Sequence, residues 1–345
     1  MTFQVTVQPS GRIFEVARDE TILGAAMRQG VGLPYGCKDG ACGSCKCRKL
    51  EGRVIHGIHQ AKALSDAEEE AGQVLTCCST PQTDLVLEVR EVVGADDFPI
   101  VKMPVRVSSI ERPAPDVALL RLQLPANVSF GYRAGQYVEF ILRDGARRSY
   151  SMANAPGTGN NQIELHVRHM PGGKFTDHVF GALKEKEILR VEGPFGTFFL
   201  REASQRPIVL LASGTGFAPV KAIVELMRIK AIDRPTVLYW GARSRRDLYL
   251  HEWAEQAAAE LPNLRYVPVL SEARAEDDWR GRSGFVHEAV MADLPDLSGH
   301  EVYACGAPVM VESARRDFIA RCGLPAELFY ADAFTSEADK HPPPA

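Results

Sequence analysis

Residues 37–47 read CKDGACGSCKC, four cysteines within eleven positions. Thiols this dense have three chemical uses: a disulfide staple, a metal ligand set or a redox centre. Cys37, Cys42 and Cys45 follow C-x4-C-x2-C, and LTCCS further on adds Cys77 and Cys78. Gly36, Gly40 and Gly43 free the backbone to wrap tightly around a central group. Structural zinc sites usually come as paired C-x2-C knuckles, and only 42/45 forms one here. The opening MTFQVTVQPSG lacks the basic and apolar regions of a secretory signal, so a cytoplasmic location with reduced thiols is expected. That weighs against disulfides.

A second chemical stretch is Ser213-Gly214-Thr215-Gly216-Phe217-Ala218-Pro219, between an apolar run and a helical pattern. Two glycines permit close backbone approach, and the N-terminus of the following helix faces phosphate. Pro219 stands where the dinucleotide fingerprint G-x-G-x-x-G has its third glycine. After TVLYW come Gly241-Ala242-Arg243-Ser244-Arg245-Arg246. No acidic residue ends that strand to hold a ribose hydroxyl, and three arginines could accept a 2′-phosphate.

Three kinds of segment must position these residues. Residues 1–92 open with alternating Phe3, Val5 and Val7, then Ile13, Phe14 and Val16 after a Ser10–Gly11 turn, a hairpin pattern. TILGAAMRQG predicts a short helix with Thr21 as N-cap and Gly30 ending it, and residues 84–92 a closing strand. Residues 93–102 read as a linker. Residues 103–203 carry short β runs with Gly and Pro between them, an antiparallel barrel pattern. In IELHVR, Ile163, Leu165 and Val167 share one face, and Glu164, His166 and Arg168 the other. From 204 to 335, apolar strands alternate with helices, which predicts a doubly wound α/β fold with a parallel sheet. The tail 336–345 reads as disordered.

The chain has 345 residues, 45% hydrophobic and 24% charged, with net charge −4. No basic field invites nucleic acid, and no run reaches the roughly 18 apolar residues of a membrane span.

The cysteine spacing resembles that of plant-type 2Fe–2S ferredoxins, which use one remote fourth ligand. In related domains that ligand follows a small residue after an apolar pair, as in Val74-Leu75-Thr76-Cys77, so Cys77 rather than Cys78 is implied. The order of segments resembles the ferredoxin–NAD(P)H reductase superfamily with an N-terminal ferredoxin domain, over essentially the whole chain. The implied fold is multidomain: a β-grasp 2Fe–2S domain, an FAD-binding antiparallel β-barrel and an NAD(P)-binding doubly wound domain. The family's R-x-Y-[ST] motif is Arg148-Ser149-Tyr150-Ser151. Arg148 would pair with the flavin pyrophosphate, Tyr150 lie on the isoalloxazine and Ser151 hydrogen-bond the ring. Its second flavin element is Pro171-Gly172-Gly173-Lys174-Phe175-Thr176, where helix N–H groups and Thr176 would hold phosphate. His166 and Arg168 are candidate flavin contacts; exposed strand residues are the equal alternative.

The form G-x-G-x-x-P at 214–219 matches this family. Cys305-Gly306-Ala307-Pro308-Val309-Met310 resembles its C-G-x-P-x-M element at the nicotinamide, with Cys305 near the hydride path. Phe334 resembles the terminal aromatic that shields the flavin, with core packing as its rival. NADH is the implied donor, with NADPH open because of the arginines from Arg243. The implied path runs from NAD(P)H to FAD to the cluster and out to an acceptor protein. The likeness is greatest to reductases of CDP-3,6-dideoxysugar synthesis, whose acceptor is an iron–sulfur dehydratase. Reductases of Rieske and di-iron aromatic oxygenases share most motifs. A monomer is expected. A stand-alone reductase of small molecules would leave the ferredoxin domain unused, and a metal-binding module would leave the other motifs without purpose.

Overall fold

The computed structural model describes residues 1–95, 97–158 and 160–335. The expected disordered tail lies outside the described residues. The chain divides into two compact units, Met1–Phe98 with the segment from Asp332, and Pro99–Ala331.

In the first unit, β1 (Thr2–Gln8) and β2 (Arg12–Ala17) form the expected hairpin, closed at Gly11, whose φ of 74° suits glycine. Val5, Val7, Phe14 and Val16 point into the core. Helix α1 (Ile22–Arg28) starts where Thr21 Oγ1 accepts from the Gly24 amide at 3.1 Å, and packs Ile22, Leu23, Ala25 and Ala26 inward. The remaining elements are β3 (Lys46–Glu51), β4 (Val54–His56), α2 (Asp66–Glu70), β5 (Gln73–Leu75), β6 (Ser79–Pro81) and β7 (Leu85–Glu88). The main sheet runs β2-β1-β7-β3-β5, with β1 and β7 parallel and the other pairs antiparallel. This is the β-grasp arrangement. Strands β4 and β6 form a separate small ribbon beside the cysteine loop.

The second unit holds two sheets. The first comprises β8 (Val101–Ala114), β9 (Val117–Gln123), β10 (Tyr137–Ile141), β11 (Arg147–Ser151), β12 (Gln162–Arg168) and β13 (Ile188–Phe195). Its order is β11-β10-β13-β8-β9-β12, antiparallel throughout. A bridge from Met152 to Leu165 joins its two ends, closing the barrel. Val105, Leu120, Val138, Phe140, Ile163 and Leu165 fill it, and helix α3 (Lys174–Gly181) adds Phe175 and Val179. Strand β8 starts at Val101, inside the expected linker, because the alternation of Val101, Met103, Val105 and Val107 carries on without a break.

The second sheet comprises β14 (Ile208–Ser213), β15 (Thr236–Ala242), β16 (Leu264–Leu270), β17 (Arg282–Ser283), β18 (Glu301–Gly306) and β19 (Phe329–Ala333). Helices α4 (Phe217–Ile229), α5 (His251–Glu260), α6 (Val286–Asp293) and α7 (Pro308–Cys322) connect them. The order is β17-β16-β15-β14-β18-β19. The pairs from β17 to β18 are parallel, and β14 lies between β15 and β18. The chain order reverses at β14, so its carboxyl end is the crevice where such sheets bind ligands.

Candidate functional site

All eight cysteines are free thiols. The Cys37 thiol is engaged with Cys42 and Cys77, and Cys77 with Cys37, Cys45 and Cys78. Cys37, Cys42, Cys45 and Cys77 therefore gather at one place. The loop aims main-chain donors inward: the Cys37 amide lies 3.4 Å from Cys42 Sγ. Gly40, with φ of 75°, passes so near β4's trailing loop that a Cβ there would lie 2.8 Å from the Ile58 carbonyl.

The thiols also perturb one another. Cys42 and Cys77 hydrogen-bond to Cys37 and hold its ionisation far below the ordinary range, while Cys37 pushes both partners up. A donor set that resists full ionisation by mutual repulsion suits a cationic centre that takes all four as thiolates. Among the described residues, no three His, Cys, Asp or Glu are arranged to hold a single metal ion. A dinuclear cluster asks for two thiolates on each iron instead. Cys47 is buried on β3, its thiol pushed up to about 12 by burial and by Cys45, and it packs in the core.

On the barrel, Arg148 and Tyr150 share one face of β11 and Ser151 turns to the other. The Tyr150 ring is held edge-on by Phe140 at 5.7 Å and tilted against Phe175 at 5.2 Å. Gly172, with φ of 82° and open space where a Cβ would be, leads through Gly173 into α3. No side chain caps that helix, so its first amides suit a phosphate. Lys174 is ion-paired with Asp144. Thr176 does not fit its expected role. Its hydroxyl donates to the Met170 carbonyl at 2.9 Å and accepts the Met170 amide at 3.2 Å, so it ties the turn rather than facing a ligand.

His166 departs from expectation too. Its side chain is fully buried, with Nε2 3.1 Å from Glu164 Oε1 and Nδ1 2.8 Å from Tyr249 Oη. Both ring nitrogens are engaged, which leaves none for a flavin. The polar face of β12 is covered because α4 lies on it. Lys221 Nζ reaches Glu164 at 3.1 Å, Glu225 at 2.6 Å and the Ala153 carbonyl at 3.1 Å. Burial alone would raise the Glu164 carboxyl, but His166 and Lys221 outweigh it and hold it at about 2. Burial keeps His166 neutral.

Arg168 lies against the nucleotide loop: a Cβ on Gly214 would lie 3.1 Å from its Nη1. Its Nε faces Asp116 Oδ2 at 3.3 Å as an ion pair without hydrogen-bond geometry, and its buried Nη2 has no hydrogen-bond acceptor. A guanidinium with idle donors beside a glycine loop fits a bound phosphate. Gly216 and Gly306 let this loop touch the end of β18. A Cβ on Gly216 would lie 2.2 Å from the Cys305 carbonyl, and one on Gly306 2.3 Å from Ser213 Oγ. Cys305 is fully buried there, Thr215 is half-buried, Pro219 is packed inside α4, and Met310 sits in the first turn of α7. Arg243 is exposed after β15. Phe334 is half-buried in the segment that belongs to the first unit.

Residues 5–82 match the 2Fe-2S iron-sulfur cluster binding domain, 104–200 the oxidoreductase FAD-binding domain, and 210–316 the oxidoreductase NAD-binding domain. The chain is 43% identical over 334 residues to the CDP-6-deoxy-L-threo-D-glycero-4-hexulose-3-dehydrase reductase of Yersinia pseudotuberculosis serotype I, covering 97% of this chain and 99% of that one. It belongs to the ferredoxin–NAD(P)H reductase family of iron–sulfur flavoproteins. This reductase is also 37% identical over 321 residues to the phenol 2-monooxygenase reductase component DmpP of Pseudomonas sp. CF600, covering 91% and 89%. The crystal structure of the Amycolatopsis cytochrome P450 reductase GcoB superposes with a TM-score of 0.79 at 34% identity, covering 97% and 99%. The reductase is thus an electron-transfer oxidoreductase with 2Fe–2S, FAD and NAD domains.

Sequence reasoning missed Glu164, Lys221, Glu225 and Tyr249 as site-building residues. One signal was available: Lys221 interrupts the apolar helix FAPVKAIVELM, and a lysine so placed needs partners.

Proposed function

We propose that this reductase draws electrons from NADH and passes them singly, through a cluster on Cys37, Cys42, Cys45 and Cys77, to a separate acceptor protein. The observation that carries this reading is the convergence of those four thiols. When bound, FAD takes up an electron pair and releases it one electron at a time, as a 2Fe–2S cluster requires. Arg148 and the open N-terminus of α3 hold the flavin diphosphate, and Tyr150 offers its ring. The Gly214–Gly216 loop and the idle edge of Arg168 hold the nicotinamide dinucleotide's phosphates. Cys305, Gly306 and Met310 shape the pocket at the end of β18.

The acceptor proposed is an iron–sulfur dehydratase of CDP-6-deoxyhexulose, which makes the protein a CDP-6-deoxy-3,4-glucoseen reductase. The 43% identity to a reductase of that dehydrase, over nearly both whole chains, supports this. A terminal oxygenase is the second reading, favoured by identities of 37% and 34% to oxygenase reductase components. Each acceptor, purified with its substrate, is mixed with the reductase and NADH. Product from the dehydratase supports the first reading; product from an oxygenase alone overturns it. Replacing Cys42 with Ser tests the route. NADH–ferricyanide turnover should persist while cytochrome c reduction falls at least about tenfold, because a serine cannot replace the thiolate that holds the cluster. Survival of both activities would refute the exit through the cluster.

NADPH is the alternative donor. Arg243 and Arg246 are exposed beyond β15, whereas the Arg245 amide and guanidinium hold the Asp277 turn. A ratio of kcat/KM for NADPH over NADH above one would reverse the choice.

A further inference from the structure

The nucleotide loop is held from the barrel side by a chain of contacts that runs beyond the loop's own motif to Trp240, Tyr249 and His166. Gly214 offers its carbonyl to the Trp240 indole N–H at 3.1 Å. Trp240 stacks on Phe217, the first residue of α4, with centroids 3.8 Å apart and planes 7° apart. Tyr249 abuts Trp240 edge-on at 5.2 Å and 88°, and Phe217 at 6.4 Å and 82°. Its hydroxyl meets His166 Nδ1 at 2.8 Å, and His166 Nε2 meets Glu164 at 3.1 Å.

The proton positions follow from the charges. Glu164 is ionised and can only accept, so the neutral His166 carries its proton on Nε2. Nδ1 then accepts, and Tyr249 donates to it. Each group has one arrangement that satisfies it, which gives the chain a single register.

We propose that the Tyr249–His166 hydrogen bond, linking β12 of the barrel to the ring stack beneath Gly214, sets the position of the nucleotide loop for hydride transfer. Tyr249 and His166 are positioning residues, acting through Trp240 and Phe217. The inference rests on the proposed use of a nicotinamide dinucleotide at this loop.

The test compares two ways of reducing the flavin in the intact, flavin-loaded protein. NADH needs the loop in place; dithionite does not. Replacing Tyr249 with Phe removes one oxygen and keeps the ring. The limiting rate of flavin reduction by NADH in stopped flow should fall about 5- to 100-fold. The dithionite rate and the flavin content should stay at wild-type values. His166→Leu, which loses the Tyr249 and Glu164 contacts together, should slow NADH reduction at least as much, and adding Tyr249→Phe to it should slow it no further, because the shared bond is already gone. Wild-type NADH kinetics in Tyr249→Phe would overturn the proposal. So would an equal loss with dithionite, which would assign the pair to folding alone. If wild-type flavin is not reduced by NADH at all, the proposed function has failed instead.

Discussion

Replacing Lys221 with Met should destabilise the second unit severely, and the amount can be worked from the structure. The Lys221 side chain is 7% exposed and stands between Glu164 and Glu225, each 11% exposed. Removing one member of a buried charge set costs about 3–5 kcal/mol, here chiefly by taking the cation from Glu225, since Glu164 keeps Arg121 at 3.3 Å and His166. The acidity of Glu164 gives a second route. Burial opposes its ionisation, yet His166 and Lys221 bring it from 4.5 to about 2, equivalent to about 3 kcal/mol. For a unit of this size that lowers the Tm by roughly 6–20 °C. The carboxyl is held below its unfolded value, so its contribution is full above pH 4.5 and is lost as pH falls toward 2. Without Lys221 there is less to lose, and the gap between wild type and variant should narrow on acidification. Melts at pH 7 and pH 4, followed by tryptophan emission, report it directly, since Lys221 Nζ lies 5.2 Å from the Trp253 ring. Adding Glu225→Gln should recover part of the loss. A variant melting within about 2 °C of wild type at both pH values would refute the argument.

Cys77→Ser should lose the cluster's iron and visible absorption, while Cys78→Ser should keep both; iron assay and visible spectra of the purified variants decide which cysteine is the fourth ligand. Gly216→Ala would force a Cβ to 2.2 Å from the Cys305 carbonyl, so the loop must move, and the KM for NADH should rise at least about tenfold with flavin retained. Arg168→Gln should weaken NAD+ binding about tenfold by calorimetry while flavin content holds; loss of flavin with unchanged NAD+ affinity would move Arg168 to the flavin side.

What could be read from the chain alone was local. The hairpin, the Thr21 cap, the wrapping of the cysteine loop and the strand–glycine–helix unit at Gly214 each depend on residues close in sequence. Their physics is complete within a turn or two. The barrel's strand order was not legible, because β8 pairs not only with its hairpin neighbour β9 but also with the distant β13, and nothing local selects a partner so far downstream. Thr176 was misjudged for a similar reason. A threonine in a helix's first turn suits a phosphate or its own turn equally well, and only the placement of Met170 decides.

The case of β12 shows what such errors have in common. Alternation along IELHVR separates an apolar face from a polar one, and a polar face ordinarily meets water. Here it meets α4, and Glu164 and His166 are buried with the rest of the strand. Periodicity reports chemical type, and type implies exposure only when no other element brings compensating charge. Lys221 brings it from more than fifty positions downstream. A buried lysine–glutamate pair on an otherwise apolar helix and an acid–histidine pair on a barrel strand are each anomalous alone, and the lysine supplies the charge that the strand lacks. Buried groups of that kind fix orientation more strictly than apolar contact does, because a displaced carboxylate or ammonium loses partners that the surrounding apolar residues cannot replace. An electron-transfer protein whose barrel and nucleotide fold must keep a set distance has a use for that strictness.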